Sequence, residues 1–85
     1  MKEVRILGIM VTNRIASSTS VQHILTKFGC SIKTRLGLHE VSSDNNCNYG
    51  LILLELTGDV IEWEKLEAEL LKLEGVITKK ISFEM

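Results

Sequence analysis

Apolar residues along the chain fall into six stretches separated by short polar breaks. The first, Val4-Arg5-Ile6-Leu7-Gly8-Ile9-Met10-Val11, is β-branched and almost continuously apolar, as in a strand covered on much of both faces. Thr12-Asn13-Arg14 ends it, and Asn13 can cap a following helix by accepting a hydrogen bond from a free backbone N–H. Val21, Ile24, Leu25 and Phe28 recur at helical spacing and predict a helix over Ile15 to Phe28 with one apolar face. Ser17-Ser18-Thr19-Ser20 is a poor helix former, so a start at Thr19, with Gln22 closing a capping box, competes with the earlier start preferred here. Gly29 stops the helix.

Ile32, Thr34, Leu36 and Leu38 then alternate with Lys33, Arg35, Gly37 and His39, the period of a strand with one apolar and one mixed face. Ser42-Ser43-Asp44-Asn45-Asn46 reads as a turn, and Tyr49 to Leu56 returns as a second arm, so the two pair as an antiparallel hairpin. Asp59 with Glu62 forms a capping box for a second helix. Its stripe is Trp63, Leu66, Leu70 and Leu73, widened by Leu71, and Gly75 ends it. Val76 to Phe83 is the last strand. The order β-α-β-β-α-β, with right-handed crossovers, predicts an α+β ferredoxin-like fold: a four-stranded antiparallel sheet with both helices on one face.

Composition narrows the functional classes. A length of 85 residues is one small domain, 1–85, with a thin core. Ten Lys and Arg against eleven Asp and Glu leave a net charge of −1, which argues against non-specific nucleic-acid binding. The chain has no room before its first strand for a helix-turn-helix, so direct DNA reading is not expected. No apolar run approaches the roughly 18 residues of a membrane span, and polar Thr12-Asn13-Arg14 sits where a signal peptide needs apolar sequence, so a cytoplasmic location is expected. Two cysteines suit a reducing compartment.

One side of the predicted sheet has no helix, yet the first and third strands are apolar on both faces. Long Lys and Arg stems can screen such a face, or a partner can cover it. The favoured occupant is a second copy of the chain, giving a homodimer or higher homo-oligomer.

Several segments jointly resemble a known family. Ile9 to Arg14, Ile24-Leu25-Thr26-Lys27-Phe28-Gly29, Arg35-Leu36-Gly37-Leu38 and Leu66 to Val76 are similar to the ACT-like iron-only hydrogenase system regulator family, over nearly the whole chain. Three positions depart from its pattern: Asn13 stands where the family favours Asp, Ala68 where it favours Gly, and Glu74 where it favours Pro. The resemblance implies a ferredoxin-like fold related to ACT domains and to the C-terminal domain of nickel-responsive repressors. It further implies oligomers and a regulatory role linked to hydrogenase expression or assembly, with any partner being a protein rather than DNA.

ACT-like domains place effectors at the first strand-to-helix junction, which is here Thr12-Asn13-Arg14. That segment offers a hydroxyl, an amide, a guanidinium and the N–H groups of a helix start, the parts of an amino-acid or small-anion site. Helix capping and a surface Arg account for the same residues equally well. Arg35 and Gly37 can border that surface; Gly37 alternatively marks a β-bulge. The cofactor is left open. If the hairpin turns near Asp44, residues whose numbers total about 87 lie opposite each other. His39 and Cys47 then become neighbours and Cys30 falls near Thr57, too far from Cys47 for the roughly 7 Å between disulfide Cα atoms. His39 and Cys47 supply two metal ligands where zinc or nickel generally takes about three or four, so a metal site needs a dimer. The exposed carboxylates read as a solvated helix face. Glu55, which interrupts an apolar strand, reads as an edge or interface carboxylate paired with a Lys. No triad, phosphate loop or metalloprotease motif supports an enzyme.

Overall fold

The computed structural model describes residues 2–38 and 49–85, apart from the side chains of residues 14, 15 and 38. Chain order is β1 (Glu3–Val11), α1 (Arg14–Lys27), a 3-10 turn (Gly29–Ser31), β2 (Ile32–Leu38), β3 (Gly50–Leu56), α2 (Val60–Leu71) and β4 (Val76–Glu84). The strands form one sheet in the order β2-β3-β1-β4, each neighbouring pair antiparallel. This is the ferredoxin-like arrangement that the element order predicts.

Strand β1 lies at the centre because both its faces can be buried. Leu7, Ile9 and Val11 point under the helices and are almost wholly buried. They meet Leu54 and Leu56 of β3, Val76 of β4, Val21 and Leu25 of α1 with Phe28 at its C-cap, and Trp63, Leu66 and Leu70 of α2 in one core. The apolar stripes of both helices thus face the sheet as their spacing requires. Leu71 departs from expectation: it is 54 % exposed and does not widen the α2 stripe. At the last turn of a helix the covered arc narrows, and Leu70 alone occupies the core side.

The α1 start falls early, with the Asn13 side chain accepting from the Ala16 N–H at 3.2 Å. In α2, Asp59 accepts from the Ile61 N–H at 2.9 Å, while the Glu62 carboxylate accepts from Lys65.

Strand β2 corrects the sequence reading. Ile32 pairs with Leu56 but Thr34 pairs with Glu55, so Lys33 is an extra residue in the ladder. A one-residue insertion reverses every later side chain. Ile32 therefore packs against the core, whereas Leu36 lies on the opposite face, 51 % exposed. Ile32 and Leu36 do not share a face. Gly37 pairs regularly with Ile52, so the bulge falls at Lys33 and not at Gly37. The hairpin register is also offset: Leu36 pairs with Leu53 and Leu38 with Leu51, totals of 89 rather than 87. His39 and Cys47 lie outside the described residues.

Candidate functional site

The β1–α1 junction is built from two chain segments distant in sequence. The Thr12 N–H and hydroxyl both donate to the Gly75 carbonyl, at 2.8 and 2.7 Å. One turn into α1, the Ser17 hydroxyl donates to the Glu74 carbonyl at 3.1 Å. The turn between α2 and β4 is thereby laced to the junction, and the two segments enclose a shallow cleft lined by Thr12, Asn13, Ala16, Ser17, Glu74 and Gly75. Thr12 and Asn13 are exposed at its mouth.

These bonds change what each residue can do. The Thr12 hydrogen is committed to Gly75, so its oxygen is left to accept. Asn13 holds the Ala16 N–H, which leaves the helix start structurally capped. Arg14 opens α1, so its backbone adjoins the cleft. Capping and site geometry coexist at this junction and share the same atoms.

Arg35 and Gly37 are elsewhere. They lie on β2, with β3 between them and β1, opposite Leu54 and Ile52 respectively. At about 4.8 Å between strands and about 3.3 Å per residue, Gly37 is on the order of 12 Å from the end of β1 and Arg35 on the order of 16 Å. The Arg35 guanidinium donates to the Gln22 side-chain oxygen on α1. A Cβ at Gly37 would meet nothing within 4 Å, so close intrachain packing does not demand glycine there.

Sequence reasoning missed Ser17, Glu74 and Gly75 as members of the site. Ser17 carried a usable signal: it stands one helical turn before Val21 on the apolar stripe and is nearly buried. A small polar residue there needs a hydrogen-bond partner, and the Glu74 carbonyl supplies it.

Other charged groups serve the architecture. Glu55 accepts from Thr34 at 3.2 Å and lies 3.8 Å from Lys33, the Lys pairing expected of it. At the far end of β1, Glu3 accepts from Arg5 at 2.8 Å and from the Ser82 hydroxyl at 2.7 Å. These two hydrogen bonds, the Arg5 one foremost, hold the Glu3 carboxyl below its ordinary value of 4.5. A carboxyl with a depressed folded value adds stability that is complete above 4.5 and is lost as pH falls through the folded value. The stability difference between wild type and Glu3→Gln, followed by thermal unfolding, is expected to be constant at neutral pH and to shrink below pH 4.5. A difference unchanged down to pH 2 would remove this role.

Among the described residues, no group of three or more His, Cys, Asp or Glu side chains is placed to hold a metal ion. No helix there is long and apolar enough to cross a membrane.

The fold is ferredoxin-like, of the ACT/PII-like kind. The chain is similar to TM1266, an uncharacterized protein of Thermotoga maritima, with 25% identity over 98% of this chain and 100% of that one, at a TM-score of 0.82. The ACT domain of a Chlorobium tepidum GTP pyrophosphokinase matches 95% of this chain and 89% of its own, at 14% identity and a TM-score of 0.67. CPII, a nitrogen regulatory PII-like protein of Thiomonas intermedia K12 bound to ADP, AMP and bicarbonate, matches 99% of this chain and 93% of its own, at 12% identity and a TM-score of 0.61. The latter two likenesses speak to fold alone. No protein-family model matches the chain, and no curated protein matches it.

Proposed function

We propose that this chain is a non-catalytic, cytoplasmic regulatory domain, 1–85, that works as a homo-oligomer and binds a small anion or amino acid at the β1–α1 junction. The observation that carries this reading is the cleft where exposed Thr12 and Asn13 adjoin the start of α1 and the Glu74–Gly75 turn. Backbone N–H groups and partial positive charge at a helix start suit a carboxylate or phosphate. Arg14 is the cation within this segment, and Arg35 and Gly37, separated from β1 by β3, reach this surface only through a partner copy. The nucleotide and bicarbonate ligands of the PII-like relative support the choice of anions. A role in iron-only hydrogenase expression or assembly, exerted through a protein partner, follows from the family resemblance.

A second reading is an interaction module without a small ligand, favoured by the exposed apolar sheet face. A metal sensor using His39 and Cys47 is the third.

Thermal unfolding in the presence of amino acids, nucleotides, bicarbonate, inorganic phosphate, zinc or nickel separates the three. Ligand at 100 times its Kd adds about 2.7 kcal/mol. In a domain of this size that raises Tm by about 10–20 °C. The expected result is such a rise with an anionic ligand, abolished by Arg14→Ala. Stabilisation by metal alone that disappears in His39→Ala would transfer the function to the metal site. No response to any of these compounds would leave the interaction module.

A further inference from the structure

At the end of β1 remote from the junction, the sheet is short of a strand. Strand β1 pairs with β4 from Glu3 to Val11, but with β3 only from Ile6 to Val11. Beyond Leu56 the chain leaves the sheet through Thr57 and Gly58, whose φ of +84° turns it toward α2. Thr57 cannot carry β3 further, because its N–H donates to the Ser31 carbonyl and its carbonyl accepts from the Trp63 Nε1–H, both at 2.8 Å. A cleft of about 500 Å³ is left between the start of β1 and the β3–α2 turn, within the about 300–1,000 Å³ of typical ligand pockets. Its apolar lining is Val4, Leu56, Val60 and Trp63, and Lys2 borders it.

The main chain bared in this cleft restricts what can fill it. Lys2 and Met85 exchange both backbone hydrogen bonds, at 3.2 and 2.8 Å, so alternate residues of β1 bond to β4. The N–H and C=O of Glu3 therefore point the other way, into the cleft, and have no partner among the described residues. Glu3 is half-buried, so this donor and acceptor need a partner. A lone anion would satisfy only the N–H and a cation only the C=O. The main chain of another strand satisfies both.

We propose that the cleft takes an extended acidic peptide segment of another protein, added as a short strand antiparallel to Lys2, Glu3 and Val4. Strand addition of this kind draws affinity from main-chain bonds and specificity from alternate side chains. The residue opposite Glu3 exchanges backbone bonds with it. Those opposite Val4 and Lys2 share one face, the first suiting an apolar side chain and the second an acid. Charge decides the acid. Glu3 is already held by Arg5 and Ser82, and Glu55 by Thr34 and Lys33. Lys2 alone at the cleft has no carboxylate within ion-pair distance among the described residues, so the uncompensated charge is positive. This site is separate from the effector cleft at the β1–α1 junction.

Trp63 is the single tryptophan and lines the cleft, so its fluorescence reports occupancy. The probe is a capped pentapeptide, acetyl-Thr-Val-Val-Glu-Thr-amide. A saturable change in emission with Kd below about 1 mM is expected. Replacing the peptide's Glu by Lys, or Lys2→Glu in the protein, is expected to weaken binding at least about tenfold, and combining the two to restore it. Circular dichroism of Lys2→Glu should match wild type, since Lys2 is exposed. N-methylation of the second valine removes the donor to the Glu3 carbonyl and is expected to abolish binding. No saturable change, an N-methylated peptide that binds equally well, or a charge swap that fails to recover would overturn the proposal. So would N-acetylglutamate binding as tightly as the peptide, which would make this a small-carboxylate site. Arg14→Ala is expected to leave peptide binding intact, so the failure of the anion screen and the failure of this site are read separately.

Discussion

Trp63→Ala is expected to cost about 3–5 kcal/mol, a large part of the about 5–15 kcal/mol that holds a typical domain folded. Three contacts converge on this side chain. The indole is 4 % exposed and fills the core between α2 and the sheet. Its Nε1–H donates to the Thr57 carbonyl at 2.8 Å, while the Thr57 N–H donates to the Ser31 carbonyl at the same distance. On the outer side the Arg5 guanidinium lies 5.2 Å from the ring centroid. Truncation empties the largest buried side chain and leaves the Thr57 carbonyl without its donor. Trp63→Phe separates the terms: it keeps much of the volume, removes the donor and is expected to cost about 1–3 kcal/mol. Urea unfolding of the three proteins gives the ranking. An alanine variant within 1 kcal/mol of wild type would mean that α2 is not anchored here.

Gly75→Ala is expected to cost about 2–3 kcal/mol through two separable effects. Gly75 has a φ of +78°, and a side chain in the left-handed region costs about 1–2 kcal/mol. The added Cβ would also stand 2.8 Å from the Thr12 hydroxyl, closer than such atoms can approach. That hydroxyl must swing away, losing its bond to the Gly75 carbonyl. The two substitutions are therefore coupled. In a Thr12→Ala background the clash is gone, and Gly75→Ala is expected to cost only the backbone part, about 1–2 kcal/mol. Strict additivity in chemical denaturation would show that the hydroxyl and the turn are not in contact. Ligand response should fall with Gly75→Ala as well, because the same contact shapes the cleft.

The elements most legible in the sequence were those with strong periodicity and end signals. Val21 and Leu25 on α1 with Phe28 at its C-cap, and Trp63, Leu66 and Leu70 on α2, are placed in the core by spacing alone. Asn13 and Asp59 cap because a short polar side chain before an apolar stripe satisfies an otherwise unpaired N–H. Leu71 was misread because a stripe has soft borders: whether its outermost residue is covered depends on the length of the neighbouring element, which periodicity does not contain. The Lys33 bulge was invisible for a related reason. Ile32, Thr34, Leu36 and Leu38 alternate cleanly as letters, and only the pairing of Ile32 with Leu56 and Thr34 with Glu55 shows the reversal.

The candidate site was half legible. Thr12, Asn13 and Arg14 stood out as a polar break at a helix start. Gly75 stood out as a helix stop, but nothing in one dimension ties it to Thr12, 63 positions away. Arg35 drew attention as a cation near a glycine, and the sheet order separates it from the junction by a strand.

By itself, the sequence determined the six elements, their order and an apolar excess greater than one helical layer can cover, because periodicity and end signals act over a few residues. Tertiary structure alone decided the reversal of β2, the lacing of Thr12 and Ser17 to Gly75 and Glu74, and the open edge at Glu3 where β1 outruns β3. Each of those depends on strand register and chain return, which couple residues that no local pattern connects.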